Sequence, residues 1–453
     1  MKCFIDCRRK SDLQSIIQRG EQEMLKTPIA RGVALATLGA TLAIPSMAQA
    51  AFIEDTKAGL ELRNFYFNRD YREDAGQNKQ DEWAQGFILR VESGFTEGTV
   101  GFGIDALGLL GVKLDSGGSG DDRRTGTGLL PAGASGAPDD YSSLGVAAKF
   151  KVSETILKVG TLQLKNMAIS SSDSRLLPQT FQGAQIVSKE VNGLTLDGGY
   201  LNRANHRNSS NNEGLAYGGK GVGIASGAGA AGTAADAADD FFFAGGSYKV
   251  LDNLTAAYYY SELENIYKQH STNLVHILPL GDKQSLKTDL RYARSTDDGS
   301  SNIDNKALGA MVTYSLSGHS FGLGYQQMSG DTGFAYVGEF TDPFLVNYVQ
   351  INDFAFEDMK SYQARYDFNF ASVGIPGLTF MTRYVTGDNV DRGVGQSEGK
   401  MWERDMDIGY TFQEGALKNL NVKWRNATAR NNFQRATNVD ENRLIVSYTI
   451  PLM

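Results

Sequence analysis

The chain has 453 residues, 41% hydrophobic and 10% aromatic, with 52 glycines and a formal net charge of −8. The acidic balance argues against a nucleic-acid-binding protein. No apolar run in the body of the chain approaches the ~18 residues that a membrane-crossing helix needs.

Near the start, Met24-Leu25-Lys26 opens a weakly basic stretch with Arg31, an apolar run follows from Val33 to Ile44, and Ala48-Gln49-Ala50 has the form of a cleavage site. Residues 24–50 therefore read as a secretory signal peptide. Residues 1–23 read as a non-structural extension upstream of it, with Met24 as the start of translation and an unusually long n-region from Met1 as the alternative. Both cysteines, Cys3 and Cys7, fall in this discarded part, so an exported chain beginning at Ala51 needs no disulfide. Cleavage leaves 37 basic and 48 acidic residues, a net charge of −11.

From Ala51 to Met453 the chain alternates apolar and polar residues in short segments. Tight connections are expected at Gly94–Glu97, Val152–Glu154, Val191–Asn192, Val250–Asn253, Gly281–Lys283, Leu316–Gly318, Ser372–Gly377 and Gln413–Lys418, where Gly, Asn, Asp and Pro recur. Long polar ones are expected near 70–82, 110–141, 163–181, 203–240, 295–304, 329–358, 388–399 and 430–440, with a short one near Lys268–His270. The rhythm predicts 18 strands. Lipid requires every backbone group to be paired, so strands that cross a membrane must close on themselves. The fold expected for 51–453 is all-β, a single 18-stranded antiparallel transmembrane β-barrel in the bacterial outer membrane. The Gly/Ala tract from Gly218 to Ala238 and the segment Gly117–Pro138 read as flexible external loops.

Alternation assigns faces. Leu420, Val422 and Trp424 face lipid, which turns Lys423 and Arg425 inward. Leu444, Val446 and Tyr448 do the same for Arg443. By the same rule Arg63 and Arg69, Arg90, Lys158, Lys287 and Arg291, Arg365 and Arg383 line the interior. A base on the lipid face would cost about 2–4 kcal/mol at mid-bilayer. Against these eight arginines and three lysines, the inward acids found are Glu61, Glu92, Asp289 and Asp367. The pattern is either the solvated wall of a non-selective pore or a basic ladder that draws anions through. Arginine suits a ladder because its planar fork holds a carboxylate bidentately. The loop Ser174-Arg175-Leu176-Leu177-Pro178-Gln179-Thr180-Phe181 is too apolar for a water-washed loop, and its alternatives are folding into the lumen or capping the rim.

Three longer stretches carry a resemblance: Leu62-Arg63-Asn64-Phe65-Tyr66-Phe67-Asn68-Arg69-Asp70, Gln85-Gly86-Phe87, and Glu92-Ser93-Gly94-Phe95-Thr96-Glu97-Gly98-Thr99-Val100-Gly101-Phe102-Gly103. Ser174–Thr180, Gly377–Met381 and Asn442–Val446 extend it. The chain resembles the OprD-type outer-membrane carboxylate channels. The resemblance implies a monomer or weak homotrimer, without cofactor, that takes up small carboxylates by diffusion past inward-folded constriction loops, among outer-membrane lipids and lipopolysaccharide. It makes Arg69, Arg175, Arg425, Arg443 and Lys423 ladder residues, and Tyr336 and Asp353 constriction residues that orient substrate. Tyr217, beside the Gly/Ala insertion, matches a further constriction tyrosine. The end Pro451-Leu452-Met453 departs from the terminal aromatic common in outer-membrane barrels. Gln77–Gln80, Trp83–Phe87 and Leu107–Val112 look more like the branch for aromatic or cyclic monocarboxylates such as benzoate than the branch for basic amino acids. Residue-level reasoning leaves the branches open, since both need a base for the carboxylate.

Other classes fit less well. A barrel hydrolase needs Ser and His adjacent with an acid behind them, whereas His206 lies in a loop, His270 beside a short one, His319 beside a turn, and His276 in a strand from about Ser271 without a serine at i±2. A β-solenoid would show a fixed repeat, and a general porin would share the barrel but not the selectivity.

Overall fold

The computed structural model describes residues 48–73, 78–118, 122–133, 136–219, 237–299, 301–338, 340–392 and 395–453. The expected extension, the signal peptide up to residue 47 and most of the Gly/Ala tract lie outside the described residues. A short helix α1 (Ala48–Glu54) leads into the first of eighteen long strands, which form one closed antiparallel sheet. The first half comprises β1 (Lys57–Tyr71), β2 (Lys79–Glu92), β3 (Gly101–Asp115), β4 (Asp140–Val152), β5 (Thr155–Leu162), β6 (Thr180–Ser188), β7 (Leu194–Asn205), β8 (Phe241–Leu251) and β9 (Leu254–Leu263). The second comprises β10 (Tyr267–Gly281), β11 (Gln284–Asp297), β12 (Asp304–Leu316), β13 (His319–Ser329), β14 (Lys360–Asn369), β15 (Leu378–Val390), β16 (Gly399–Thr411), β17 (Asn421–Asn431) and β18 (Val439–Pro451).

Each strand pairs with its chain neighbours, and β1 closes the ring by pairing β18 from Gly59↔Pro451 to Tyr71↔Val439. Turns on one rim are tight. Ser317 and Gly318 both take positive φ, 47° and 97°, to reverse the chain in two residues. The expected short connection near Lys268–His270 instead occupies residues 264–266, so β10 begins at Tyr267 and His270 lies within it. The apolar run of β9 and the paired register Leu263↔Tyr267 carry the sheet up to that turn.

The outer wall is apolar, with Leu89, Val146, Leu290, Leu323, Tyr362 and Leu444 all exposed on it, as a lipid-facing surface requires. The inner wall is not uniformly polar. Phe65 and Phe67 point inward with Arg63 and Arg69, and pack with Ile88, Leu129, Leu130, Leu176 and Leu177 in a buried cluster. That cluster consists of strand side chains covered by loops. The segments read as flexible and external are therefore corrected over their described parts: Leu129 and Leu130 are fully buried, Gly218 donates to the carbonyl of Tyr336 at 3.0 Å, and Ala238 is buried in a pairing with Leu215. The loop between β5 and β6 also folds inward, where Gly86 lets it approach closely, since a Cβ there would sit 3.1 Å from Leu176.

The ring has one low place. β5 has 8 residues, fewer than the 9–11 or so that span a bilayer. Its regular pairing with β4 ends at Ala147↔Gly160, beyond which Thr161 still packs against Gly145.

Phe67→Ala removes the centre of the inner cluster and is expected to cost about 3–5 kcal/mol of stability. Urea unfolding of the refolded barrel in micelles measures it, and an unchanged midpoint would mean that the loops are held without this core.

Candidate functional site

Strand side chains hold the inner loops by specific contacts. On β1, Arg63 donates from Nη1 to Asp173 Oδ1 at 2.7 Å and to the carbonyl of Arg175 at 2.8 Å. On β11, Arg291 donates to the carbonyl of Leu345 at 2.9 Å and lies 4.0 Å from the Phe344 ring centroid. On β16, the fully buried Glu403 accepts from the amides of Ile351 at 2.8 Å and Asn352 at 2.9 Å. A buried carboxylate is stable only if its oxygens are satisfied, and here backbone amides of the 330–359 loop satisfy it.

The inward arginines are less free than alternation suggested. Arg63 pairs with Glu61 at 2.8 Å, Arg90 with Glu61 at 3.1 Å, and Arg291 with Asp289 at 2.9 Å. Arg365 pairs with Asp367 at 2.7 Å, Arg383 with Asp405 at 2.7 Å, and Arg425 with Asp407 at 3.0 Å. Glu441 holds both Arg69 at 2.8 Å and Arg443 at 2.6 Å. Lys158 pairs with Asp105 at 2.8 Å. Among the described residues Lys287 and Lys423 make no ion pair. The expectation of few inward acids is thus corrected. Asp105, Glu403, Asp405, Asp407 and Glu441 were missed, although Glu403, Asp405 and Asp407 alternate with Met406 and Ile408 as lumen residues should.

The paired registers Phe67↔Arg443, Arg443↔Arg425 and Arg425↔Asp407 set these groups side by side across β1, β18, β17 and β16. Three guanidinium groups surround the Phe67 ring, with Arg69 at 5.0 Å, Arg175 at 4.8 Å and Arg443 at 4.6 Å from its centroid.

Arg175 and Arg207 differ from the rest. Both sit on inner loops, both are nearly buried, and neither makes an ion pair among the described residues. Arg175 donates from Nε to the carbonyl of Thr127 at 3.0 Å. Its Nη1 and that of Arg207 reach the same Ser174 Oγ, at 3.3 and 2.9 Å, so the two guanidinium groups lie within about 6 Å of each other. Arg207 rests on the Phe340 ring at 4.0 Å, and its Nε has no hydrogen-bond partner. Burial, with Arg443, Arg207 and Arg69 nearby, holds the Arg175 guanidinium well below its ordinary range. Burial likewise lowers Arg207 to about 10. Asp342 and Glu441 are the acids nearest in effect, yet neither pairs directly with these two buried cations, which makes a site that an anion can complete.

These residues line a chamber of about 480 Å³ together with Arg69, Thr127, Tyr336, Tyr348, Gln350 and Asp353. Tyr336 donates to Asp353 at 3.3 Å and Tyr348 to Asp342 at 2.7 Å. Burial raises both hydroxyls and the Asp342 carboxyl above their usual values. Of the residues singled out in the sequence, Arg69, Arg175, Tyr336 and Asp353 meet at this chamber, and Arg443 adjoins it through Glu441 and the Phe67 ring. Arg90, Arg365, Arg383, Lys423 and Arg425 lie outside its lining, while Arg63 and Arg291 hold loops. Tyr217 is buried behind it, its backbone bridged to Val337. Arg207 and Tyr348 escaped notice because loop residues carry no alternation.

The chain matches the family model described as outer membrane porin, OprD family, over residues 50–452. It is 39% identical to Porin D of Pseudomonas aeruginosa over 427 residues, covering 89% of this chain and 92% of that one. It is 38% identical to the porin-like protein GalP of Pseudomonas putida, covering 92% and 97%. Among solved structures, OpdQ of Pseudomonas aeruginosa superposes with a TM-score of 0.80 at 58% identity, covering 89% of this chain and all of that one. A BenF-like porin from Pseudomonas fluorescens Pf-5 gives 0.82 at 40% identity, covering 88% and 100%. These relatives are porins rather than enzymes.

Burial and the carboxylates of Asp391, Asp358 and Asp331 raise Glu357, on the loop before β14, to about 7. The group is neutral below that pH and adds a negative charge above it. Anion flux is expected to fall as pH rises from about 6 to 8, and Glu357→Gln to remove that step. Planar-bilayer currents carried by a monocarboxylate at the two pH values measure it, and identical steps in both proteins would rule the group out.

Proposed function

From the premise that this chain belongs to the OprD family of outer membrane porins, which pass small molecules across the outer membrane, we propose that it is a channel selective for small carboxylates. The single observation that carries the reading is the pair of buried guanidinium groups, Arg175 and Arg207, which line the inner chamber and make no ion pair among the described residues. A carboxylate entering the chamber takes the place that acids fill beside the strand arginines. Arginine's fork gives it two parallel donors. Depth in a narrow lumen raises the attraction above its value in water, while neighbouring bases offer onward positions that keep residence short. Arg69 and Arg443 supply field from behind Glu441, and Arg425, Lys423, Arg383 and Arg365 extend it along the wall.

Phe67, Phe340, Tyr336 and Tyr348 give the chamber aromatic faces beside its cations. That lining favours aromatic or cyclic monocarboxylates such as benzoate. A second reading, basic amino acids, draws on Asp342 and Asp353, which would receive an ammonium or guanidinium group.

Arg175→Ala and Arg207→Ala are each expected to lower benzoate flux by about tenfold, the loss of one hydrogen bond to a charged group. Arg425→Ala, whose charge Asp407 already offsets, is expected to lower it less, and all three to leave a neutral pentose within about twofold. Uptake into liposomes of benzoate, arginine and the pentose separates the readings. Preference for arginine would select the second, and equal losses for all three solutes would leave a general porin.

A further inference from the structure

One sector of the outer wall breaks the rule that outward positions are apolar. On β16, Glu403, Asp405 and Asp407 point into the lumen, so Arg404 points outward between Trp402 and Met406, and it is exposed. Hydrocarbon penalises a base on this face, least at the membrane interfaces. β16 follows the long connection after Val390, which puts its first residues on the external side, since periplasmic turns are the short ones. Arg404 stands there at the level of an aromatic belt. It is paired in register with Tyr384, whose ring stacks on Trp402 with centroids 5.8 Å apart.

The polar face continues across the next two strands. Register sets Arg404 beside Thr428, Met406 beside Asn426, and Asn426 beside Asn442. Arg404 Nη2 donates to Asn426 Oδ1 and, at 3.3 Å, to Thr428 Oγ1, while Asn426 Nδ2 donates to Asn442 Oδ1 at 3.1 Å. All these acceptors are neutral, and among the described residues Arg404 makes no ion pair. The acid in its row, Asp440 beside Thr428, is held by Arg72 and, at 2.7 Å, by Arg430, and Arg72 also reaches Asp70 at 3.1 Å. Three arginines of this sector therefore share two carboxylates. Arg294, which faces outward on β11, has Asp304 to itself. Just below Arg404 the wall turns apolar, with Ile408, Trp424 and Leu444 exposed in one row.

We infer that Arg404, with Thr428 and Asn442, binds a phosphate of the outer leaflet's phosphorylated glycolipid, lipopolysaccharide, whose acyl chains lie on Ile408, Trp424 and Leu444. The surplus of one positive charge calls for an anion, and a guanidinium fork suits phosphate. Depth decides the source of that anion, because the aromatic belt is where headgroups meet hydrocarbon. The apolar row below the cation gives acyl chains a surface and gives a free anion none. The side-chain amides of Asn426 and Asn442 and the Thr428 hydroxyl exchange hydrogen bonds with sugar hydroxyls, as a phosphorylated sugar requires. This site lies on the outside of the wall and is independent of the arginine chamber within it.

The test titrates the refolded barrel in micelles with the diphosphorylated lipid anchor of lipopolysaccharide and reads lipid-bound barrel by native mass spectrometry. Arg404→Ala is expected to weaken binding by about tenfold, the loss of one hydrogen bond to a charged group, and Asn442→Ala by about threefold, the loss of a weaker one. Removing the phosphates from the lipid is expected to weaken binding to the unaltered barrel as much as Arg404→Ala does, and to add little in that variant. Benzoate uptake by Arg404→Ala is expected to stay unchanged, and its heat-modifiable gel mobility to show a closed barrel. Equal lipid binding by Arg404→Ala and the unaltered protein overturns the site. Phosphatidylglycerol or inorganic phosphate that displaces the lipid at matched concentration overturns it as well, by making it a general anion contact. An oligomer that forms without lipid and that Arg404→Ala dissociates also overturns it, by giving the surface to a second copy of the chain.

Discussion

Backbone closure in lipid is the constraint from which the rest follows. Because no N–H or C=O can be left open in hydrocarbon, β1 must meet β18, and a ring of this many strands encloses far more space than one small solute needs. Selectivity therefore cannot come from the barrel. It comes from loops folded into the barrel, and a loop inside a polar lumen stays put only where something fastens it. Arg63, Arg291 and Glu403 are fasteners of this kind, and the patch around Phe65 and Phe67 is the greasy floor on which the loops rest.

Charge compensation then divides the arginines into two populations. Those on strands face carboxylates across one register position or two residues along the same strand. Their fields are short dipoles, strong nearby and weak at a distance. Those on loops, Arg175 and Arg207, meet at Ser174 on the chamber wall and are in no ion pair among the described residues. A channel in which every arginine stood free would bind anions tightly all the way along and release them slowly. Confining the unpaired arginines to one chamber leaves attraction there and little elsewhere.

Much of this was legible in the sequence. Period-two alternation assigned Arg425 and Arg443 to the lumen correctly because a misplaced base is penalised by lipid, and the rule reads a penalty. The parity that turns Arg63 and Arg69 inward turns Phe65 and Phe67 inward too, and loop packing, which replaces water inside the barrel, removes the penalty for an inward apolar side chain there. Parity could not reach Arg207, whose position depends on chain reversals that follow no period. Nor did counting the acids of only some strands reveal that most inward bases were already neutralised. Asp405 and Asp407 lie on β16, a strand chosen for no arginine of its own. The short fifth strand was likewise visible only as a length, and what a short strand does to a closed ring is a property of its neighbours.

Four of the inward pairs, Arg63 with Glu61, Arg291 with Asp289, Arg365 with Asp367 and Arg443 with Glu441, join residues two apart on one strand. Such a pair needs no partner strand to form. Each of these segments is electrically self-contained before any sheet exists, so the chain can approach the bilayer with those charges already matched, and the order in which hairpins assemble places no isolated arginine of these four against lipid. Register between strands is then set by the pleat and the turns rather than by a search among ion pairs. The arrangement that quiets the wall of the finished pore also simplifies the problem of building it.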